Sequence, residues 1–363
     1  MRKRIFFICG SMNQTTQMHQ ISEHLPEYEH SFSPYYVHGF DEILRRLGLI
    51  EFTISGDKLS GCCRRYLQDH GLPIDYQGRN RPYDLVVTCS DVYLQKNIRD
   101  NRIVLVQEGI TDPESMMFHL VKRLRFLPLW WAGTSTTGLS DAYRAFCVAS
   151  EGYRDFFIRK GVSPEKIVVT GIPNFDDCGR YCSNDFPYRH YLLACTSPLR
   201  ETFRGDNRKA FIRRAVERAG RRQLIFKLHP NENVERATRE ILQHAPEAMV
   251  FTTGSAEEMI ANCDVLITQF SSTAFVGLAL GKETYSDFDM DELRRLMPLQ
   301  NGSAAFNIAN VCRRFLEQEG WGHELGHDTP DRTGGQARLE CREKKREKGR
   351  APGDCPRGRR SVF

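Results

Sequence analysis

Several things are missing from this sequence, and each absence removes a class of protein. No apolar run approaches the roughly 18–20 residues that a bilayer span requires. The opening Arg2-Lys3-Arg4 resembles the charged part of a secretory signal, yet the apolar stretch Ile5–Cys9 soon meets Gly10, Ser11 and Asn13. It reads as a first buried strand instead. The loop after it has neither G-x-G-x-x-G nor G-x-x-x-x-G-K-[ST], which argues against a Rossmann dinucleotide site and against a P-loop. Cys62-Cys63 and Cys178/Cys182 lack the second half of a zinc site, and Asp287-Phe288-Asp289 reads as an exposed acidic turn, so metal independence is expected.

The body also lacks an excess of charge. The formal charge is +5 over 363 residues, but residues 321–363 hold 11 Lys/Arg against 7 Asp/Glu. A near-neutral body with a basic, Gly- and Pro-rich tail is no nucleic-acid platform, and the tail is expected to be disordered. It suits either peripheral contact with an anionic membrane or a plain solvated end. Twelve scattered cysteines, several in expected strands (Cys9, Cys89, Cys147, Cys195, Cys263), fit free buried thiols in a reducing compartment. A cytoplasmic protein, with the inner face of a membrane as its one peripheral option, is expected.

What the chain has is alternation of short continuous apolar runs with helical patterns. Runs at 5–9, 84–89, 102–106 and 145–149, then at 191–195, 223–227, 248–251 and 264–268, have the continuous apolar character of parallel strands covered on both faces. Helical patterns fit 41–47, 151–160, 207–219, 232–244, 256–261, 273–279 and 304–319, with an amphipathic, aromatic-ended stretch at 114–131. Ser150 is a fitting N-cap and Gly161 a fitting stop for the second helix. The expected fold class is α/β, with two doubly wound Rossmann-like domains. Their expected bounds are 1–170 and 188–303, joined by a linker over 171–187. A helix at 304–320 is expected to pack back on the first domain before the tail 321–363.

Ligands in such folds sit beyond the carboxyl ends of the strands, which singles out five loops. Ser11, Asn13, Gln14 and Thr15 follow the first strand, as an ordinary turn or as a polar surface for a sugar. Glu108, with Asp112 and Asp91 in reserve, follows another, as a general base if partial burial shifts it or as a helix cap. Thr196, Ser197 and Arg200 form an anion site or a solvated charged loop. His229-Pro230 ends a strand where an imidazole can donate to a phosphate. Ser271, Ser272 and Thr273 bring three hydroxyls to a helix start, where capping needs only one.

The second half resembles the donor-binding domain of GT-B glycosyltransferases. It is similar to bacterial capsule and surface-polysaccharide transferases, including sialyl-, polysialyl- and Kdo-transferase groups with a His-Pro and a Ser-Ser/Thr motif, here His229-Pro230 and Ser271-Ser272-Thr273. The resemblance implies a GT-B-like pair of domains facing a cleft, with the acceptor on the first. It implies a histidine on nucleotide phosphate, hydroxyls on the phosphate of a CMP-sugar, and a base at Glu108-Gly109. Gln107 stands where a first acidic residue is often found. The passage Val168–Asp177 resembles the interdomain crossing of GT-B proteins and of the non-hydrolysing UDP-N-acetylglucosamine 2-epimerases. The expected reaction is sugar transfer from a CMP- or UDP-linked donor to a glycan or lipid-linked saccharide. A nucleotide-sugar epimerase, a glycerophosphate-type transferase and a nonenzymatic nucleotide- or glycan-binding relative are the alternatives.

Overall fold

The computed structural model describes residues 2–38, 42, 56–80, 82–124, 126–201 and 205–317. The helix expected at 41–47, the end of the last helix and the tail 321–363 lie outside the described residues.

Two parallel sheets carry the fold. The first contains β1 (Arg4–Cys9), β2 (Glu29–Pro34), β3 (Leu85–Thr88), β4 (Ile103–Val106), β5 (Ala145–Val148) and β6 (Ile167–Val169), in the order β2-β1-β3-β4-β5-β6. The second contains β7 (Leu192–Cys195), β8 (Leu224–Lys227), β9 (Met249–Phe251), β10 (Val265–Thr268) and β11 (Glu283–Tyr285), in the order β11-β10-β7-β8-β9. Neighbouring strands are parallel throughout. All eight strands expected from continuous apolar runs form. β2, β6 and β11 were not among them, and all three, like β9, are edge strands. An edge has one neighbour and less cover, so it needs no continuous apolar run: β2 reads Glu-His-Ser-Phe-Ser-Pro.

The helices are α1 (Met12–Glu23), α2 (Asp57–Asp69), α3 (Met116–Arg123), α4 (Glu151–Lys160), α5 (Arg208–Ala219), α6 (Val234–His244), α7 (Ala256–Asn262), α8 (Thr273–Ala279), α9 (Met290–Arg295) and α10 (Ala304–Glu317). Ser150 caps α4 by accepting from the Tyr153 N–H, and Gly161 ends it at φ 106°. The stretch 114–131 forms a helix followed by a separate turn. Leu124 ends α3, and after Pro128 a short 3-10 turn runs over Leu129–Thr136. Gly277 lets α8 lie close on its sheet, since a Cβ there would meet Thr284 Oγ1 at 2.5 Å and Leu266 Cδ2 at 2.6 Å. The strand cysteines Cys9, Cys147 and Cys195 are buried free thiols, as are Cys89 and Cys263.

The two sheets share an apolar seam. Tyr153 and Phe175 from the first half pack edge-on to Phe275 of α8, with ring centroids 6.2 and 6.3 Å away. The chain crosses between halves twice, and the crossings are tied together. Asp176 on the outward crossing accepts from Gly302 N at 2.9 Å through its carbonyl. Its carboxylate accepts from Ala304 N at 2.7 Å, at the head of α10 on the return. α10 then buries Ile308, Ala309, Cys312 and Leu316 against Ile5, Phe7, Leu85 and Val104 of the first sheet.

Candidate active site

In each sheet, strand order reverses at one place, and loops at such a switch point open a crevice. In the second sheet that place lies between β7 and β10. Thr196 and Ser197 follow β7, His229 follows the adjacent β8, and Gln269–Thr273 follow β10. A cleft of about 180 Å³ opens here, lined by Ser197, His229, Phe270, Ser271 and Ser272 from this half and by Ile110–Pro113 from the other. A contiguous hollow of about 460 Å³ shares Ile110–Pro113 and Phe288, and adds Tyr153, Phe156 and Lys160 of α4.

The geometry of His229 is specified from below. Its ring Nδ1 lies 3.1 Å from Asn231 N. A backbone N–H only donates, so Nδ1 accepts, and the neutral ring carries its proton on Nε2. The His229 backbone N–H is held by Thr196 Oγ1 at 3.1 Å and Glu232 Oε2 at 2.9 Å. Thr196 also donates to the Glu232 carboxylate. Glu232 in turn accepts from buried Arg208 at 2.5 Å, and Arg208 Nε reaches Asp206 at 3.1 Å. Asp206 accepts from Gln269 Nε2 at 3.1 Å, which links the loop after β10 to the same set.

This network engages two of the residues offered as an anion site or a solvated loop. Thr196 is buried among Lys227 O, Glu232 and the His229 N–H. Arg200 is paired with Asp206 at 3.1 Å and Glu240 at 2.6 Å. Ser197 is buried at the cleft floor, its Oγ 3.5 Å from Phe270 O, and Pro230 is exposed beyond the histidine. Ser271 Oγ and Thr273 Oγ1 bond each other at 2.9 Å, so Thr273 turns toward its neighbour while Ser271 and Ser272 line the cleft. Lys227 is buried with Nζ donating to Leu228 O at 3.0 Å, and burial lowers its pKa from the usual lysine range.

On the first half, Glu108 is gripped. Ser11 Oγ donates to Oε1 at 2.5 Å, Gln14 Nε2 donates to Oε2 at 2.6 Å, and Gln17 Nε2 donates to its carbonyl at 3.0 Å. Ser11 also caps α1, accepting from Gln14 N at 3.2 Å. Of the residues read as a sugar-facing loop, Ser11 and Gln14 thus face Glu108, Thr15 is buried with its hydroxyl on Ser11 O, and Asn13 is exposed. Asn174 Nδ2 donates to Asn13 O at 2.8 Å.

Glu108 lies just behind the cleft wall. At Gly109 a Cβ would come within 3.6 Å of Ser272 Cβ and 3.7 Å of Ser272 Oγ, so the two halves touch at this pair. The carboxylate that lines both hollows is Asp112, whose backbone N–H donates to Thr134 Oγ1 at 2.9 Å. Asp91 is buried and accepts from Gly138 N and Ser140 N, and burial raises its pKa. Among the described residues, no group of three or more His, Cys, Asp or Glu is placed to hold a metal ion.

Sequence reasoning passed over Asp206, Arg208, Glu232 and Gln269. Glu232 stands three residues after His229 at the start of a helical pattern, and Arg208 lies in the helical pattern 207–219; no motif joins them. Only tertiary folding brings the two within 2.5 Å.

No family model matches the chain, and no curated protein does. Among solved structures, the wall teichoic acid polymerase TagF, solved with CDPG, aligns over 87% of this chain and 88% of that one, at 11% identity and a TM-score of 0.50. The fold is GT-B-like. A UDP-N-acetylglucosamine 2-epimerase aligns over 90% of this chain and 100% of its own, at 14% identity and a TM-score of 0.48. A third match, an epimerase of the same name from Rickettsia bellii, covers 88% of this chain and 89% of its own at 9% identity and a TM-score of 0.49. The TagF alignment speaks for a GT-B-like pair of Rossmann-like domains about a cleft, and for nothing finer. No helix among the described residues is long and apolar enough to cross a membrane.

Proposed function

We propose that this chain is a glycosyltransferase that moves a sugar from a nucleotide-linked donor, CMP first and UDP second, to a hydroxyl of a glycan or lipid-linked saccharide. The observation that supports this reading is that one cleft brings Asp112 of the first half opposite His229, Ser271 and Ser272 of the second. A carboxylate on one wall takes the acceptor's hydroxyl proton as that oxygen attacks the anomeric carbon. The bond from that carbon to the donor phosphate breaks, and the phosphate departs with the electron pair. His229 Nε2–H and the serine hydroxyls stabilise its charge by donating hydrogen bonds to it. No step in this scheme calls for a metal. Closure of the two halves would exclude water, which otherwise competes as acceptor.

Asp112 takes the base role in this scheme because it lines the cleft, and Glu108 sits behind it as the alternative. The test is a thermal-shift screen of CMP, CDP, UDP and GDP, followed by turnover with and without acceptor. His229→Ala and Ser272→Ala are expected to weaken nucleotide binding about 10-fold or more. Asp112→Asn should spare binding and lower turnover by about 10²–10⁴-fold. If Glu108→Gln shows the larger loss instead, the base is Glu108. Nucleotide-sugar interconversion without acceptor would replace the reading with an epimerase, and stabilisation by none of the four nucleotides would end it.

A further inference from the structure

Of the thirteen large apolar side chains exposed among the described residues, six fall within the sixteen residues Met116–Trp131. Met116 is 90% exposed and Phe126 81%, and Met117, Leu120, Trp130 and Trp131 are also exposed. The segment is amphipathic in the literal sense. α3 buries Phe118 and Val121 against the body and turns Met116, Met117 and Leu120 outward. The turn Leu129–Thr136 packs against α3, so both elements form one surface. Trp130 and Trp131 stand edge to face at 6.2 Å on it.

Charge narrows the occupant. Met116–Trp131 contains no Asp or Glu and three cations, Lys122, Arg123 and Arg125. Lys122 and Arg123 lie in the last turn of α3 and are exposed. A protein-binding face of this size would ordinarily carry a mixed-sign rim. Flexible methionines, paired tryptophans and a cluster of cations, with Glu114 the nearest acid upstream, together match the boundary between acidic headgroups and acyl chains.

We propose that Met116–Trp131 is a docking surface for a bilayer rich in anionic lipid. The cleft-lining loop Ile110–Pro113 runs directly into it, so docking sets that side of the cleft near the bilayer. Access to a lipid-linked acceptor would follow only if the transferase reading holds; the docking itself does not depend on it.

The experiment uses the full chain carrying Trp321→Phe, so that only Trp130 and Trp131 fluoresce. Vesicles of phosphatidylcholine are compared with vesicles holding about a third phosphatidylglycerol. The expected result is a blue shift with the anionic vesicles, with quenching by lipids brominated high on the acyl chain. In sedimentation, Phe126→Ser/Trp130→Ser/Trp131→Ser should lower partition about 10-fold or more, and Met116→Ser/Phe126→Ser, at the two most exposed positions, should lower it with an unchanged melting temperature. Unquenched tryptophans, or a triple variant that sediments like the parent, would overturn the proposal and leave any binding to the basic tail. A dimer that the triple variant dissolves, without vesicle binding, would assign the surface to a second copy.

Discussion

The two walls of the cleft are built by opposite means. On the first, Glu108 is held by neutral donors, the hydroxyl of Ser11 and the amide of Gln14. On the second, His229 rests on buried ions, with Asp206, Arg208 and Glu232 tied through Thr196 to its backbone. A wall of neutral hydrogen bonds can lose one member at modest cost. A wall of buried charge cannot, because each ion left alone keeps its desolvation penalty. The difference also shows in Thr196 and Arg200, which the sequence offers as part of an anion site or of a solvated loop: both are bonded into the ionic platform.

Breaking the ionic wall should therefore have the largest effect on stability. Arg208→Met leaves buried Glu232 without its cation, while Asp206 keeps Arg200, at an expected cost of about 3–5 kcal/mol by urea denaturation. Nucleotide binding should fall along with it, since the His229 backbone loses its support. A cost below about 1 kcal/mol would show that water or rearrangement already satisfies these carboxylates, and the contrast between the walls would fail.

The first half also holds a buried lysine, and it behaves differently because no carboxylate is bonded to it. Lys160 Nζ is buried without a hydrogen-bond partner. The rings of Phe118, Phe156 and Phe157 surround it at 5.5, 5.1 and 5.4 Å. Burial pulls its pKa down to about 8, against the pull of Glu114, Asp91 and Asp112 in the other direction. The folded value lies below the unfolded one near 10.4, so the unfolded chain binds more protons between them. Stability contributed by this group must then rise with pH from about 8 to about 10. Lys160→Met should remove that slope and add about 1–3 kcal/mol below pH 8, with cation–π attraction offsetting part of the gain. An unchanged slope between pH 8 and 10 would show that the ammonium is solvated.

Central strands were legible because both faces are covered, which demands continuous apolar runs such as Ile5–Cys9 and Val265–Thr268. The edge strand β2, reading Glu-His-Ser-Phe-Ser-Pro, escaped because half its environment is solvent. At the site, position along the chain was legible: Glu108, Asp112, His229 and Ser271 all follow strands, where the fold places a crevice. Direction was not. Nothing local says that Ser11 and Gln14 turn to Glu108, or that Asp112 rather than Glu108 lines the cleft, because these depend on partners about a hundred residues away. Over 114–131 the amphipathic pattern was legible as the helix Met116–Arg123, and Pro128, which cannot continue a helix, keeps the aromatic end in a separate turn.

The smallest expected change lies on the neutral wall. Gln14 donates to Glu108 through Nε2, but its Oε1 is buried without a partner. Gln14→Met removes one hydrogen bond to a carboxylate and, with it, one unsatisfied oxygen. These terms oppose each other, so the net change should stay within about 1 kcal/mol. Ser11→Ala has no such relief, since it removes both a bond to Glu108 and the cap of α1, and should cost about 1–2 kcal/mol. Comparing the two by thermal denaturation isolates the orphaned oxygen. If Gln14→Met costs more than Ser11→Ala, that oxygen has a partner, and the Glu108 wall is more tightly built than its neutral donors suggest.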